Sequence, residues 1–302
     1  MTKKVTNFAA SVHDRLLAVS HQRKKDFHLT LQRYVAERFL YRLGVSAYRD
    51  RFVLKGAMLF VLWDETTARP TKDLDLAGYV ANDAATIERA FREIAAISSP
   101  QDGLDFAFDT LEVTAIRDAT EYHGFRMNLD VLLGRAVIRF QVDVGFGDMV
   151  VPTPSDVTYP VLLDGEAPRV RAYPREAVIA EKLHAMAMHA AANSRYKDFY
   201  DVDVLSDRFP FDGATLTASI TATFSRRDSA SLSPWPVALT SAYYADAGRR
   251  EQWGRYLKRL KIDGSDFGDV GERVIAFLAP PVGAVAGGEQ FTSNWPPGGP
   301  WQ

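Results

Sequence analysis

The stretch Arg69-Pro70-Thr71-Lys72-Asp73-Leu74-Asp75-Leu76 decides the reading of this 302-residue chain. Asp73 to Tyr79 is expected as a short strand, and strand residues two apart share a face, so Asp73 and Asp75 point the same way. Two carboxylates held together repel unless a cation joins them. Oxygen donors of this kind suit Mg²⁺, which keeps further positions for water and phosphate oxygens. An Asp-x-Asp alone is more often a solvated surface pair or a cap. Its company here makes it stronger.

Upstream, Lys55-Gly56-Ala57 opens an apolar segment expected to be helical from about Leu54 to Trp63, where Gly56 lets a triphosphate approach the helix start closely. Downstream, Asp143 is the one carboxylate in Phe140-Gln141-Val142-Asp143-Val144. Three carboxylates on adjacent strands suffice for two metals, one activating an attacking hydroxyl and the other stabilising leaving pyrophosphate. Asp130, in Asn128-Leu129-Asp130-Val131, competes for the third position; the more continuous apolar neighbours of Asp143 favour it.

Before this stretch, Leu16, Leu17, Val19, Phe27, Leu31, Tyr34, Val35, Phe39 and Leu43 recur at helical spacing, with Gly44 as the expected stop. After it, Asn82 or Asp83 caps an expected helix through Ile97. Phe106 to Ile116, Phe125 to Leu132 and Ala136 to Val144 alternate as strands, with a hairpin at Leu133-Gly134-Arg135. The fold class is α+β with a mixed or antiparallel sheet over residues 1–151. A connector with two short extended pieces and a helical bundle lobe are expected over 152–279, starting helically at Pro174 or Arg175. The glycine- and proline-rich residues 280–302 are expected to be a disordered tail.

Composition narrows the chemistry. There is no cysteine, which excludes disulfides, thiolate nucleophiles and thiolate-ligated zinc. No apolar run follows Lys3 and Lys4, and the most apolar stretch, Phe52 to Trp63, is short, so a cytoplasmic location without membrane partners is expected. The formal net charge of -2 is no global signature of nucleic-acid binding. Locally, nine basic residues face four acids between His13 and Arg51. A second cluster, Arg249, Arg250, Arg255, Lys258, Arg259 and Lys261, is interleaved with Trp253 and Tyr256. Such a patch suits RNA, the cations for phosphates and the rings for unpaired bases.

Leu54-Lys55-Gly56-Ala57, Arg69-x-Thr71-x-Asp73-Leu74-Asp75, Asp143, Ala180-Glu181-Lys182-Leu183-His184-Ala185 and Lys197-Asp198-Phe199-Tyr200-Asp201 follow in an order that resembles the AbiEii/AbiGii toxin family, which includes the MenT-like toxins of type IV toxin–antitoxin systems. The resemblance covers roughly residues 12–210. It implies a polymerase-β-like nucleotidyltransferase lobe, a nucleoside triphosphate substrate, Mg²⁺ in a two-metal site, a cognate antitoxin, and RNA, the tRNA acceptor end, as acceptor. By motif it implies Asp73 and Asp75 as metal ligands, Lys182 as a triphosphate contact and Asp198 as a further active-site acid, with Arg69 and Lys55 as phosphate contacts. Where the superfamily has a second glycine or a serine, this chain has Ala57, which keeps a backbone amide but removes a hydroxyl. A protein or small-molecule hydroxyl as acceptor, and an inactive RNA- or antitoxin-binding homologue, stand as alternatives.

Overall fold

The computed structural model describes residues 7–66, 69–117, 123–147, 149–189, 195–226, 232 and 235–302. The chain forms two compact units, one of residues 1–148 and 155–172 and one of 149–154 and 173–302.

The first unit opens with α1 (Phe8–Gln22) and α2 (Phe27–Val45), the latter capped by Asp26, whose carboxylate accepts from the Leu29 amide. Helix α2 runs through Gly44 rather than stopping there. A Cβ at Gly44 would lie 2.5 Å from the Arg169 carbonyl oxygen, so this glycine serves a close approach, not a terminus. Next come β1 (Phe52–Lys55), α3 (Met58–Trp63), β2 (Asp73–Gly78), α4 (Ala84–Ala95), β3 (Leu104–Arg117), β4 (His123–Leu133), β5 (Ala136–Phe146), β6 (Ser155–Thr158) and β7 (Arg169–Ala172). The expected helix from Leu54 is therefore a strand through Lys55, and the helix starts only after Gly56, whose φ of 72° breaks the extended run.

The seven strands form one sheet in the order β3-β4-β5-β2-β1-β7-β6. It is mixed: β2 lies parallel to β5 and β1 parallel to β7, and the remaining neighbours are antiparallel. The two extended pieces assigned to the connector belong to this sheet, because β7 pairs with β1. That moves the boundary expected at residue 151.

Strand alternation splits the sheet into unlike faces. Leu74 and Leu76 of β2, Phe140, Val142 and Val144 of β5, and Met127, Leu129 and Val131 of β4 are buried. Phe39 of α2 anchors that face, with ring centroids 5.0 Å from Phe91 of α4 and 5.4 Å from Phe140. Each such side chain contributes about 1.5–3 kcal/mol when buried. The intervening residues, Asp73, Asp75, Gln141, Asp143, Arg126 and Asn128, occupy the other face.

The second unit contains α5 (Arg175–His189), α6 (Tyr196–Arg208), β8 (Phe211–Asp212), α7 (Gly213–Arg226), α8 (Ser241–Ala245), α9 (Ala247–Leu260), α10 (Phe267–Gly287) and β9 (Asn294–Trp295). Its core is aromatic: Phe267 lies 4.9 Å from Tyr244, 5.2 Å from Trp253 and 5.5 Å from Phe199. Among the described residues α10 alone is long and apolar enough to cross a membrane, and its Phe267, Val270, Val274 and Phe277 are buried in this unit, as in a core helix.

The disordered tail expected over 280–302 is not what the structure has. Helix α10 continues past Pro280 and Pro281 to Gly287, with Pro281, Val282 and Ala284 buried. Trp295 then donates to the Ser206 carbonyl at 2.7 Å, and Trp301 stacks 5.7 Å from Phe277 while donating to its carbonyl at 2.9 Å. Two tryptophans, each burying a large apolar area and satisfying its N–H, outweigh a composition that otherwise favours disorder.

Candidate active site

The candidate residues fall into two groups, one in each unit. In the sheet unit β2 carries Asp73 and Asp75, partly exposed between buried Leu74 and Leu76. Register sets Asp75 opposite Asp143 of β5 and opposite Lys55 of β1, and Asp73 opposite Gln141. Asp73 and Asp75 share a face, as the alternation predicted, and the β2–β5 pairing puts Asp143 on it with them. Asp130 lies on that face too, but it is paired in register with Arg139, four residues along β5 from Asp143, and accepts from Arg139 at 3.2 Å. That spacing favours Asp143 over Asp130 as the third acid of the group.

Gly56 stands directly behind Asp75. A Cβ built there would lie 2.1 Å from Asp75 Oδ2, so only glycine admits this carboxylate, and its positive φ independently favours glycine. The expected role of Gly56 at a helix N-terminus changes accordingly: α3 has six residues, and the glycine seats the acid. Ala57 is buried at the start of that helix. Arg69 and Thr71 precede β2, with Thr71 Oγ1 3.5 Å from the Asp73 carbonyl oxygen.

Asp143 does not stand alone. Arg126 of β4 grips both its oxygens, Nε to Oδ1 at 2.9 Å and Nη2 to Oδ2 at 2.7 Å, and Gln141 Nε2 donates to Oδ1 at 3.2 Å. The bond to Asp143 raises the Arg126 pKa most; burial works against it, and the charges of Asp143, Asp73 and Asp75 add to the rise. Among the described residues no three acids or histidines are gathered as a metal-holding group. Both Asp143 oxygens are engaged by Arg126, an arrangement that the three-carboxylate, two-metal expectation from sequence did not include.

In the helical unit Lys182 of α5 reaches two carboxylates of α6, with Nζ 2.5 Å from Asp201 Oδ2 and 3.3 Å from Asp198 Oδ1. Arg195 Nε donates to the other Asp198 oxygen at 2.8 Å. Burial alone would push the Asp198 carboxyl up, but Lys182, Arg195 and Lys197 together hold it below the ordinary carboxylate value. Lys182 therefore does not snorkel to water: it sits between buried acids. His184 is buried edge-on to Phe224, as a packing residue.

The basic clusters resolve differently. Arg255, Lys258, Arg259 and Lys261 are exposed, but Trp253 and Tyr256 are 2% and 6% exposed and pack in the aromatic core. They are not placed to stack on bases: helical periodicity turns them inward while their basic neighbours face out. In the N-terminal cluster Arg42 is buried against Asp102 at 2.6 Å, Arg38 donates to the Glu166 carbonyl, and Arg33 pairs with Glu37 and Glu65. Those cations hold the fold together.

Sequence reasoning missed Arg126 and Gln141, although a signal was present. Counting back along both strands from the two-residue Gly134-Arg135 turn pairs Arg126 with Asp143.

Comparison with known proteins returns one family: residues 38–279 match "Nucleotidyl transferase AbiEii toxin, Type IV TA system". No curated protein sequence matches. Two crystal structures are similar in fold at low identity. One is provisionally described as a nucleotidyltransferase from Helicobacter pylori, with 13% identity over 87% of this chain and 96% of that chain and a TM-score of 0.45. The other is JHP933 from Helicobacter pylori, with 12% identity over 87% and 94% and a TM-score of 0.46.

Proposed function

From the premise that this chain belongs to the nucleotidyl transferase AbiEii toxin family of type IV toxin–antitoxin systems, we propose that it transfers nucleotides from a nucleoside triphosphate to RNA, the tRNA acceptor end, and so blocks translation. The observation that carries the reading is the Asp73/Asp75 pair on one strand face, seated by Gly56 within the family match.

Asp73 and Asp75 would hold Mg²⁺, which when bound neutralises charge on the phosphates and polarises the reacting group. Lys55, opposite Asp75 in register, and Arg69, just before β2, are the cations of this unit assigned to phosphate oxygens. By the family motif, Lys182 is proposed as a triphosphate contact and Asp198 as a further active-site acid. The exposed cations Arg255, Lys258, Arg259 and Lys261 supply sequence-independent attraction for the RNA backbone. Positioning of a hydroxyl in line with the α-phosphate is the main catalytic demand on such a protein. A cognate antitoxin is the partner that the family implies, and the reaction is assigned to the cytoplasm.

The test is incubation of the full chain with total RNA and each labelled nucleoside triphosphate, with Mg²⁺ present or chelated. Label is expected in a discrete RNA band, lost on chelation and lost in Asp75→Asn, whose fold is retained. Absence of labelled RNA with every nucleotide would sink the proposal, and label on protein instead would redirect it to a protein hydroxyl.

A further inference from the structure

Four residues form a row across four strands on the polar face of the sheet: Lys55 of β1, Asp75 of β2, Asp143 of β5 and Arg126 of β4, each opposite the next. Side chains directly opposite have Cβ atoms about 4.5–5.5 Å apart. Two adjacent carboxylates are thereby bracketed by two cations of the protein itself. Counting Asp73, these five side chains carry one net negative charge, so one divalent cation leaves the group one positive charge and two would leave it three.

The Arg126–Asp143 pair has the geometry of a support. Both Asp143 oxygens are engaged by one guanidinium in a fork, and Gln141 holds one of them from its own strand. A carboxylate so occupied is a poor additional metal ligand, since binding would first have to break a bidentate charge-assisted pair. Arg126 is 42% exposed, and its Nη1 lies outside the fork, so part of its planar edge remains available. A guanidinium fixed on one edge and open on the other suits phosphate oxygens, which it meets with directed N–H groups.

We infer that this site takes a single divalent cation on Asp73 and Asp75, and that Arg126, locked in place by Asp143, supplies the second positive charge as a phosphate-binding residue. Asp143 is then a positioning residue for Arg126 and not a metal ligand. The inference rests on the reading of Asp73 and Asp75 as a metal site, yet it is tested without nucleotidyl transfer.

Two measurements on the full chain decide it. The first is Mn²⁺ titration followed by electron paramagnetic resonance. One Mn²⁺ per chain is expected for the wild type and for Asp143→Asn, with affinity reduced in Asp75→Asn. The second is binding of labelled nucleoside triphosphate with all divalent metal chelated. Arg126→Gln is expected to weaken it by about tenfold or more, the scale of one charge-assisted hydrogen bond. Asp143→Asn should weaken it less, since the charge stays and only its anchorage goes. The double variant Arg126→Gln/Asp143→Asn removes both charges, so it leaves no unpaired carboxylate, and it should match Arg126→Gln. Two Mn²⁺ per wild-type chain with one lost in Asp143→Asn, no Mn²⁺ at all, or unchanged metal-free nucleotide binding in both Arg126 variants would each overturn the inference. If the stoichiometry is one and Arg126 matters while no RNA is labelled, the inference stands and the proposed transfer to RNA fails.

Discussion

The acids of the sheet and those of α6 meet their cations in opposite settings. Asp143 and Arg126 are 19% and 42% exposed, and they hold each other across neighbouring strands in contact with water. Asp198 and Asp201 are 3% and 0% exposed, with Lys182 between them. In the wetter pair both the Coulomb gain and the desolvation cost are modest, so its main product is orientation. In the buried trio, desolvation costs several kcal/mol per ion and is offset only while every member is present. One set of motif residues thus contains both water-exposed and buried acids, and removal of a member of the buried trio is expected to cost stability as well.

The largest expected effect follows from that contrast. Lys182→Ala leaves two buried carboxylates facing each other and should cost about 3–5 kcal/mol of stability, the range for breaking a buried pair. Urea denaturation checks it, and a wild-type midpoint would erase the distinction between the two clusters. Loss of activity in this variant therefore does not by itself assign Lys182 to a phosphate.

Gly56→Ala comes next. The positive φ alone costs about 1–3 kcal/mol in a non-glycine residue, and the new methyl meets the Asp75 carboxylate. Stability should fall by that order and Mn²⁺ affinity should fall with it, whereas Asp75→Asn should lose Mn²⁺ affinity with stability unchanged. If Gly56→Ala keeps wild-type Mn²⁺ affinity, the glycine does not seat the acid.

A third buried acid sharpens the comparison. Glu37 is wholly buried, and burial pushes its pKa from 4.5 up to about 7, although Arg33 and the Leu162 amide pull the other way. Between those two values the folded state binds the proton that the unfolded state has released. Stability should therefore decrease as pH rises from 4.5 through about 7. Glu37→Gln should remove that part of the slope, as read from urea midpoints at pH values of about 5 and 8. An unchanged slope would mean that Arg33 keeps Glu37 ionised throughout.

The smallest structural effect belongs to the cations outside either cluster. Lys258→Glu with Arg259→Glu should move stability by no more than about 0.5 kcal/mol, as for surface positions generally. The double reversal should weaken RNA modification and flatten its salt dependence, because fewer counterions are released on binding. Identical RNA affinity and salt slope for variant and wild type would make these residues a solvated helix face.

Much of this molecule was legible without coordinates. Period-two alternation placed Asp73 and Asp75 on one face, and Asp83 capped its helix as its chemistry suggests. Alternation and capping are local, acting over a few residues, so the sequence carries them directly. What it did not carry was which strands become neighbours. The parallel pairings of β1 with β7 and of β2 with β5 join segments far apart in the chain, and they decide that residues 155–172 belong to the sheet unit and that Asp75 faces Asp143. Tertiary structure also decided that Trp253 and Tyr256 are core residues and that Trp295 and Trp301 fasten a glycine- and proline-rich tail. It also gave Asp143, expected from sequence as the third acid, a partner in Arg126. A carboxylate's role depends on the nearest opposite charge, and that charge is supplied by whichever strand the fold lays beside it.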